Sequence, residues 1–353
     1  MRYASLFALW LVACVGQVID GPGGDDGRDG GADTPTTDGG PETVDARPSA
    51  DAAPPAPLPS IDFDSYHDQD EIAAYLRAVA AARPDIVTFA VLGESYGGLE
   101  IAYVVIDATG DPDPPSVYLN GTHHGDEKSS TETTLAFVDY VLQRPDDPDV
   151  ATLLDDYAIY VQPLVNPDGH EDHRREDYFG RDPNRDYAYP GRSEDNSFDI
   201  QECRLVKQLQ DAQQFKASIA YHSGITEVVW PWGSTSSATD DHDLFHTISK
   251  AAADEMGFGR YMQSWYDYPA NGEYSDYAYW KHGTLSVTFE VSSDKTPPSS
   301  QLAPIVDRAV AGTMAFLIAV HDTDSGAMAV EIEGTRAIGT VGAVRVIDGE
   351  KLE

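Results

Sequence analysis

Residues 121–127 read Gly-Thr-His-His-Gly-Asp-Glu, which places two imidazoles and two carboxylates within five positions. Imidazole nitrogen and carboxylate oxygen are both good ligands for zinc. A His and a Glu three residues apart, on a turn that leads into a helix, face one point. His124 and Glu127 have that spacing. His123 is one residue off and should face away, and Asp126 reads as an acid at a helix start. Two ligands do not make a site, because catalytic zinc normally takes three from the protein and keeps one position open. The chain offers three sources for the third. His170 and His173 form "HEDH", and His242 and His246 are four apart on a helical stretch. Both pairs are flanked by acids and read as solvent-facing. His222 ends the apolar run "ASIAYHSG".

Five short motifs then occur in one order: His124-x-x-Glu127, "NPDG" at 166–169, "DPNRDY" at 182–187, "YHSG" at 221–224 and "TFE" at 288–290. Together they resemble the zinc metallocarboxypeptidases of the carboxypeptidase A-like kind, over about Tyr66 to His321. The resemblance, not the spacing, selects His124, Glu127 and His222 as the ligands of one Zn²⁺. It implies Glu290 as the carboxylate that takes a proton from a zinc-activated water and passes it to the leaving amine. A charge closing an apolar strand is costly unless it is paired or used. Arg175 is implied as the cation beside the scissile carbonyl, with Arg174 and Arg181 as neighbours in "HRREDYFGRDPNR". Asn184 and Arg185 match the pair that holds a free C-terminal carboxylate, a task suited to a planar guanidinium. Tyr268, eight residues before Asp276, matches the mobile tyrosine that caps the substrate, with Tyr266 and Tyr274 nearby. Asp182 matches the acid that orients His124. Ser275 and Glu273 match positions around the pocket for the departing side chain. Glu273 pairs with a cationic side chain if it points inward and is a surface acid if it points out.

The chain departs from digestive relatives at Asp126, where they carry Arg, and at Gly224, where Tyr is common. Both changes touch outer substrate subsites. The implied activity is removal of C-terminal residues from peptides with a free carboxylate. Rival readings keep the fold but act on cell-wall peptides or acyl-amino acids, or bind without catalysis.

The elements that must position these residues alternate. Helical spacing marks 70–85, "SSTETTLAFVDYVLQ", "SFDIQECRLVKQLQDA", "DHDLFHTISKAAADEMG" and "SQLAPIVDRAVAGTMAFLIAVHD". Apolar runs mark strands in "IVTFAVLGESYGGLEIAYVVID", "PSVYLNG", "YAIYVQPLVNPDG", "FKASIAYHSG" and "TLSVTFEVS". Near-continuous apolar strands between helices predict a single α/β domain over 61–325, with a mixed, mostly parallel sheet covered by helices on both faces. In such sheets, sites collect at the carboxyl ends of strands.

The balance of 60 acidic against 23 basic residues gives a net charge of −37. That speaks against nucleic acid as a partner, which needs a basic face. Only nine acids lie in residues 1–60, so the acidity belongs mostly to the folded part. Residues 1–14 read as a signal segment whose "LVAC" resembles a bacterial lipobox, with Cys14 lipidated. The lipid is then the only expected membrane contact, on an exported protein that faces the periplasm or cell exterior. Cys203 is left without a disulfide partner and reads as a buried thiol on a helix. Residues 15–60, rich in Gly, Asp and Pro, predict a disordered tether rather than a globular inhibitory segment. Residues 326–353 alternate like strands and predict a short extension, such as a hairpin.

Overall fold

The computed structural model describes residues 57–323 and the two short strands Val330–Ile332 and Thr335–Ala337. The expected signal segment, Cys14 and nearly all of the expected tether lie outside these residues. The elements run α1 (Gln69–Ala82), β1 (Val87–Glu94), β2 (Glu100–Ile106), β3 (Ser116–Gly121), α2 (Lys128–Gln143), α3 (Pro148–Asp156), β4 (Ala158–Gln162) and α4 (Pro167–Glu171). They continue with α5 (Gln201–Gln213), β5 (Ala217–His222), β6 (Ile225–Trp230), α6 (His242–Met256), β7 (Tyr261–Gln263), α7 (Tyr274–His282), β8 (Leu285–Ser292) and α8 (Leu302–Asp322). The last two strands, β9 and β10, pair with each other antiparallel.

Eight strands form one sheet in the order β1-β2-β4-β3-β5-β8-β6-β7. β4, β3, β5 and β8 run parallel, as do β6 and β7. β1 with β2, β2 with β4 and β6 with β8 are antiparallel. This is the expected mixed, mostly parallel α/β sheet. Every residue of β3 and β5 is buried, as expected of strands covered on both faces. Alternate residues enter two separate cores. Val117, Leu119 and Ile219 pack with residues of α1, α2, α3, α6 and α8. Tyr118 and Ala220 pack with α5 and α7 on the other face. Each fully buried aliphatic side chain here contributes about 1.5–3 kcal/mol.

Local chemistry sets several boundaries. Asp68 and Glu71 close a capping box on α1. The run Tyr157–Gly169 is not one strand. Asn166 accepts from the Gly169 amide and Pro167 takes the first helical position, so β4 ends at Gln162 and α4 begins. Local sequence pattern does not mark α3, β6, β7 and α7. Only two residues separate β5 from β6, and Glu227 in the centre of β6 masks its apolar character. α7, "YSDYAYWKH", has almost no apolar stripe because it is buried on several sides. Cys203 is a buried free thiol on α5 whose Sγ lies 3.2 Å from the Pro183 carbonyl.

Candidate metal centre and substrate cleft

The parallel strands deliver their carboxyl ends to one edge, and the site is built there. β3 ends at Gly121, and the following turn carries His124 to Glu127 at the start of α2. α4 backs this turn closely. A Cβ on Gly125 would lie 1.9 Å from the Gly169 carbonyl carbon, so the turn requires glycine. β5 ends on His222, and the β5–β8 register pairs His222 with Glu290. Strand register therefore sets the third candidate ligand beside the candidate base.

Donor atoms of His124, Glu127 and His222 all lie within 4.8 Å of one another, and the three residues are buried. The His124 Nδ1 lies 2.8 Å from Glu127 Oε1, His222 Nδ1 lies 2.8 Å from Glu127 Oε2, and the two Nδ1 atoms are 3.2 Å apart. Donors about 2.0–2.1 Å from a tetrahedral ion lie about 3.3 Å from each other. Two imidazoles and one carboxylate at this spacing fit a zinc ion, with a fourth position left open for water or substrate. No other such group occurs among the described residues. His170 and His173 do not converge with this cluster. Against expectation, His170 is fully buried and its ring nitrogens have no hydrogen-bond partner, while His173 is exposed. Burial pushes the His170 imidazole down to about 3. His246 is exposed on α6, and both His242 and His246 pack on Trp230.

The surroundings orient the ligands. Asp182 Oδ1 lies 3.0 Å from His124 Nε2, which leaves Nδ1 to face the cluster. Burial works to raise the Asp182 carboxyl, but the hydrogen bond to His124 and the charges of His124 and Arg175 outweigh it and hold it well below the usual carboxylate range. Burial likewise opposes protonation of His124, and Glu127 and Asp182 outweigh it. His222 is pulled down by burial. His123 faces away, as expected. Its Nε2 lies 2.9 Å from the Tyr187 hydroxyl, and its ring stacks on His222 at 5.6 Å. Sequence reasoning missed this buttress. Asp126 does not cap α2; it pairs with Lys295 at 2.6 Å.

Of the three arginines in the loop after α4, only Arg175 reaches the cluster. Its NH1 lies 3.1 Å from His124 Nδ1 and 3.5 Å from Glu127 Oε1, and Asp182 Oδ2 holds its Nε at 3.0 Å. Arg174 pairs with Asp172, and Arg181 with Asp177. The Asn184 Oδ1 accepts from the Tyr274 amide at 2.9 Å, and its Nδ2 lies 3.3 Å from His222 Nε2. Arg185 NH2 lies 3.3 Å from the Tyr268 hydroxyl, and Tyr268 is 51% exposed. Tyr274 is fully buried, and Tyr266 contacts the Ser236 carbonyl instead.

Glu273 points inward. It is buried, its Oε2 lies 3.1 Å from the Ser264 hydroxyl, and its Oε1 lies 3.7 Å from Arg185 NH1. Burial, then Asp276, push its carboxyl up to about 7, with Arg185 acting the other way. A Cβ on Gly233 would lie 2.1 Å from Glu273 Oε2, so glycine makes room for this acid. Ser275 is buried beside it. Asp276 is spent on the Gly233 amide and on the Ser234 amide and hydroxyl.

Glu290 has a buried Oε2 with no hydrogen-bond partner. Burial, then Glu127 and Glu227, push its carboxyl well above the usual range. A bound divalent cation acts in the opposite direction on such a carboxyl. Glu227 sits directly opposite Glu290 in the β6–β8 register. Arg260 holds Glu227 at 2.8 Å and Asp267, the residue before Tyr268, at 2.7 Å. Nothing in the sequence marks Glu227, because the short run "ITEVVW" carries it inside a strand without a clear apolar pattern.

The zinc carboxypeptidase family pattern matches residues 72–312, more than half of the chain. The chain belongs to the zinc carboxypeptidase family. It is 27% identical over 226 residues to Carboxypeptidase B of Astacus astacus, which covers 56% of this chain and 74% of that one. It is 25% identical over 299 residues to Carboxypeptidase M of Mus musculus, covering 74% and 67%. Among solved structures, the Carboxypeptidase A from Helicoverpa armigera superposes with a TM-score of 0.66 at 19% identity, covering 73% of this chain and 74% of that one, a likeness of fold. This zinc carboxypeptidase is therefore a metallopeptidase, a hydrolase whose metal is zinc and whose candidate ligands are His124, Glu127 and His222.

Proposed function

We propose that this zinc carboxypeptidase removes single C-terminal residues from peptides outside the cytoplasm, with Glu290 as general base and a preference for cationic departing residues. One observation carries the catalytic part: a buried carboxyl with an unpartnered oxygen stands one strand over from the ligand His222. Zinc, when bound by His124, Glu127 and His222, supplies an electrophile for the scissile carbonyl and makes water acidic enough to react near neutral pH. Glu290 accepts the proton of the attacking water and returns it to the departing amine. Arg175, held by Asp182, donates to the carbonyl oxygen as negative charge develops there. Asn184 and Arg185 take the substrate's free carboxylate, and Tyr268 closes over it from its exposed position. The test is mass spectrometry of a peptide incubated with the zinc-loaded enzyme. Loss of one residue at a time from the C-terminus is expected; internal cleavage, or release of an N-acyl group alone, would rule the reading out.

The inward Glu273 supports the preference. A Lys or Arg side chain entering beside Ser275 finds a carboxyl in a partly desolvated pocket, where a charge pair is stronger than at the surface. Arrival of the cation favours the ionised carboxylate. Glu273→Gln should lower kcat/KM for a Lys-ending peptide by about ten- to a hundredfold relative to a matched Phe-ending one. A Glu-ending peptide cleaved faster than its Lys-ending counterpart by the parent enzyme would overturn this pocket assignment.

Export rests on the sequence of residues 1–14. In cells, the protein should take up a fatty-acid label and fractionate with membranes. Cys14→Ser should abolish the label, and a label that persists would place the anchor elsewhere.

A further inference from the structure

Among the described residues, six large hydrophobic side chains are exposed: Val91, Tyr96, Tyr178, Phe179, Tyr266 and Tyr268. Tyr268 lies against Arg185. Tyr96, Tyr178 and Phe179 gather into one patch, 44%, 50% and 58% exposed, too open for a core cluster. Phe179 meets Tyr96 at 4.6 Å and Tyr178 at 5.1 Å between ring centroids, edge to face in both pairs.

Hydrogen bonds tie down the backbone that carries the patch. Asp177 is fully buried and accepts from the Phe179 amide at 2.9 Å, the Arg181 amide at 2.7 Å and Arg181 Nε at 2.8 Å. The Arg181 guanidinium lies 5.2 Å from the Phe179 ring and 5.9 Å from that of Tyr96. The β1–β2 turn that carries Tyr96 is tied to α4, because Asp168 accepts from Ser95 Oγ at 2.9 Å and from the Gly97 amide at 3.0 Å. α4 is capped by Asn166, whose Nδ2 donates to the Arg175 and Glu176 carbonyls at 3.4 and 3.1 Å. One hydrogen-bonded unit thus carries both the aromatic patch and Arg175. Tyr178 is three positions after Arg175, which places their Cα atoms within about 11 Å of each other.

We propose that Tyr96, Tyr178 and Phe179 form a subsite for an aromatic or large apolar side chain two to four residues before the scissile bond. The proposal rests on the carboxypeptidase reading above. Only one substrate residue lies beyond the bond, so only the amino-terminal side is long enough to reach from Arg175 to the patch. An extended peptide covers about 3.3–3.6 Å per residue, so a span of at most about 11 Å is bridged within two to four of them. Rings held in place before the substrate arrives lose little freedom on binding. They present both faces and edges to a further ring, the arrangements aromatic pairs prefer. The patch stands on the same hydrogen-bonded unit as Arg175, within a few residues of it, so the substrate's own upstream segment is the occupant.

The test uses hexapeptides with one fixed C-terminal residue, in which a single Trp is moved through the upstream positions of a Gly/Ser background, with a blocked dipeptide as reference. Trp two to four residues before the bond should raise kcat/KM about three- to tenfold over Gly. In the Tyr178→Ser/Phe179→Ser variant the hexapeptide advantage should vanish, beyond any change shared with the dipeptide. Tyr96→Ser should reduce it. The same peptides are titrated calorimetrically into zinc-loaded Glu290→Gln protein, where Trp should tighten Kd by a similar factor. An advantage that survives the double substitution, a Trp effect indifferent to position, or equal losses for dipeptide and hexapeptide would overturn the subsite. Failure of the parent enzyme to release a C-terminal residue even from the dipeptide would instead sink the carboxypeptidase reading, and the titration would still decide whether the patch prefers aromatic peptides.

Discussion

Glu290→Gln should keep its zinc and lose about 10²–10⁴-fold in kcat, because the amide matches the carboxyl in shape but cannot accept the water's proton. The substitution is well placed to report chemistry rather than folding. Glu290 Oε2 has no hydrogen-bond partner to lose, and the β5–β8 register that sets its position is a backbone property. Stability should move the other way from activity. The folded-state pKa of this carboxyl is raised, by burial first and then by Glu127 and Glu227. A raised acid costs nothing below its unfolded pKa of about 4.3, and its cost grows as pH rises through and beyond that value. The metal-free Gln variant should therefore melt at or above the metal-free parent at neutral pH, with little difference near pH 4. Zinc content by elemental analysis, single-turnover kinetics and melting curves check the three parts. Turnover within tenfold of the parent would mean another base acts, and Glu290 would be left with a structural role.

Arg185→Ala should raise KM and lower kcat/KM by about 10²–10³-fold, since two charge-assisted hydrogen bonds to the substrate carboxylate are lost. Amidating the substrate's C-terminus removes the other partner. In the parent enzyme it should cost a similar factor, and in the variant little more, because the two changes delete one interaction. Arg185→Lys should recover only part of the loss, as an ammonium is a point charge without the planar fork. Arg185 also lies 3.7 Å from Glu273. Removing it leaves Glu273 without that opposing charge and favours its neutral form, so the variant should also discriminate less for Lys-ending peptides. Free and amidated peptides cleaved equally well by the parent would show that the carboxylate is not recognised.

Several of these assignments were legible in the chain itself. The i, i+3 spacing of His124 and Glu127 is a property of a turn entering a helix, and it needs no distant contact. Continuous apolar runs in β3 and β5 fixed their burial on both faces, and from that the mixed, mostly parallel α/β architecture follows. The order of five motifs pointed to His222, Asn184, Arg185 and Glu290, none of which spacing alone would have chosen, and the fold brings His222 to His124 and Glu127. Other features depended on partners far apart in sequence. That Glu273 points inward follows from Gly233, forty positions earlier, where any side chain would collide with its carboxylate. That Arg175, not Arg174 or Arg181, serves the cluster was decided by which carboxylate each meets: Asp182, Asp172 and Asp177 respectively. Glu227 came to lie opposite Glu290 through an antiparallel register that no local pattern revealed. The patch of Tyr96, Tyr178 and Phe179 exists only because Asp168 and Asn166 tie a hairpin turn and a loop to one short helix. Local patterns set which elements form and which faces they bury, because propensity and periodicity act over a few residues. Which side chains meet was decided by long-range register and close packing, whose energies belong to pairs of residues and cannot be read from either one alone.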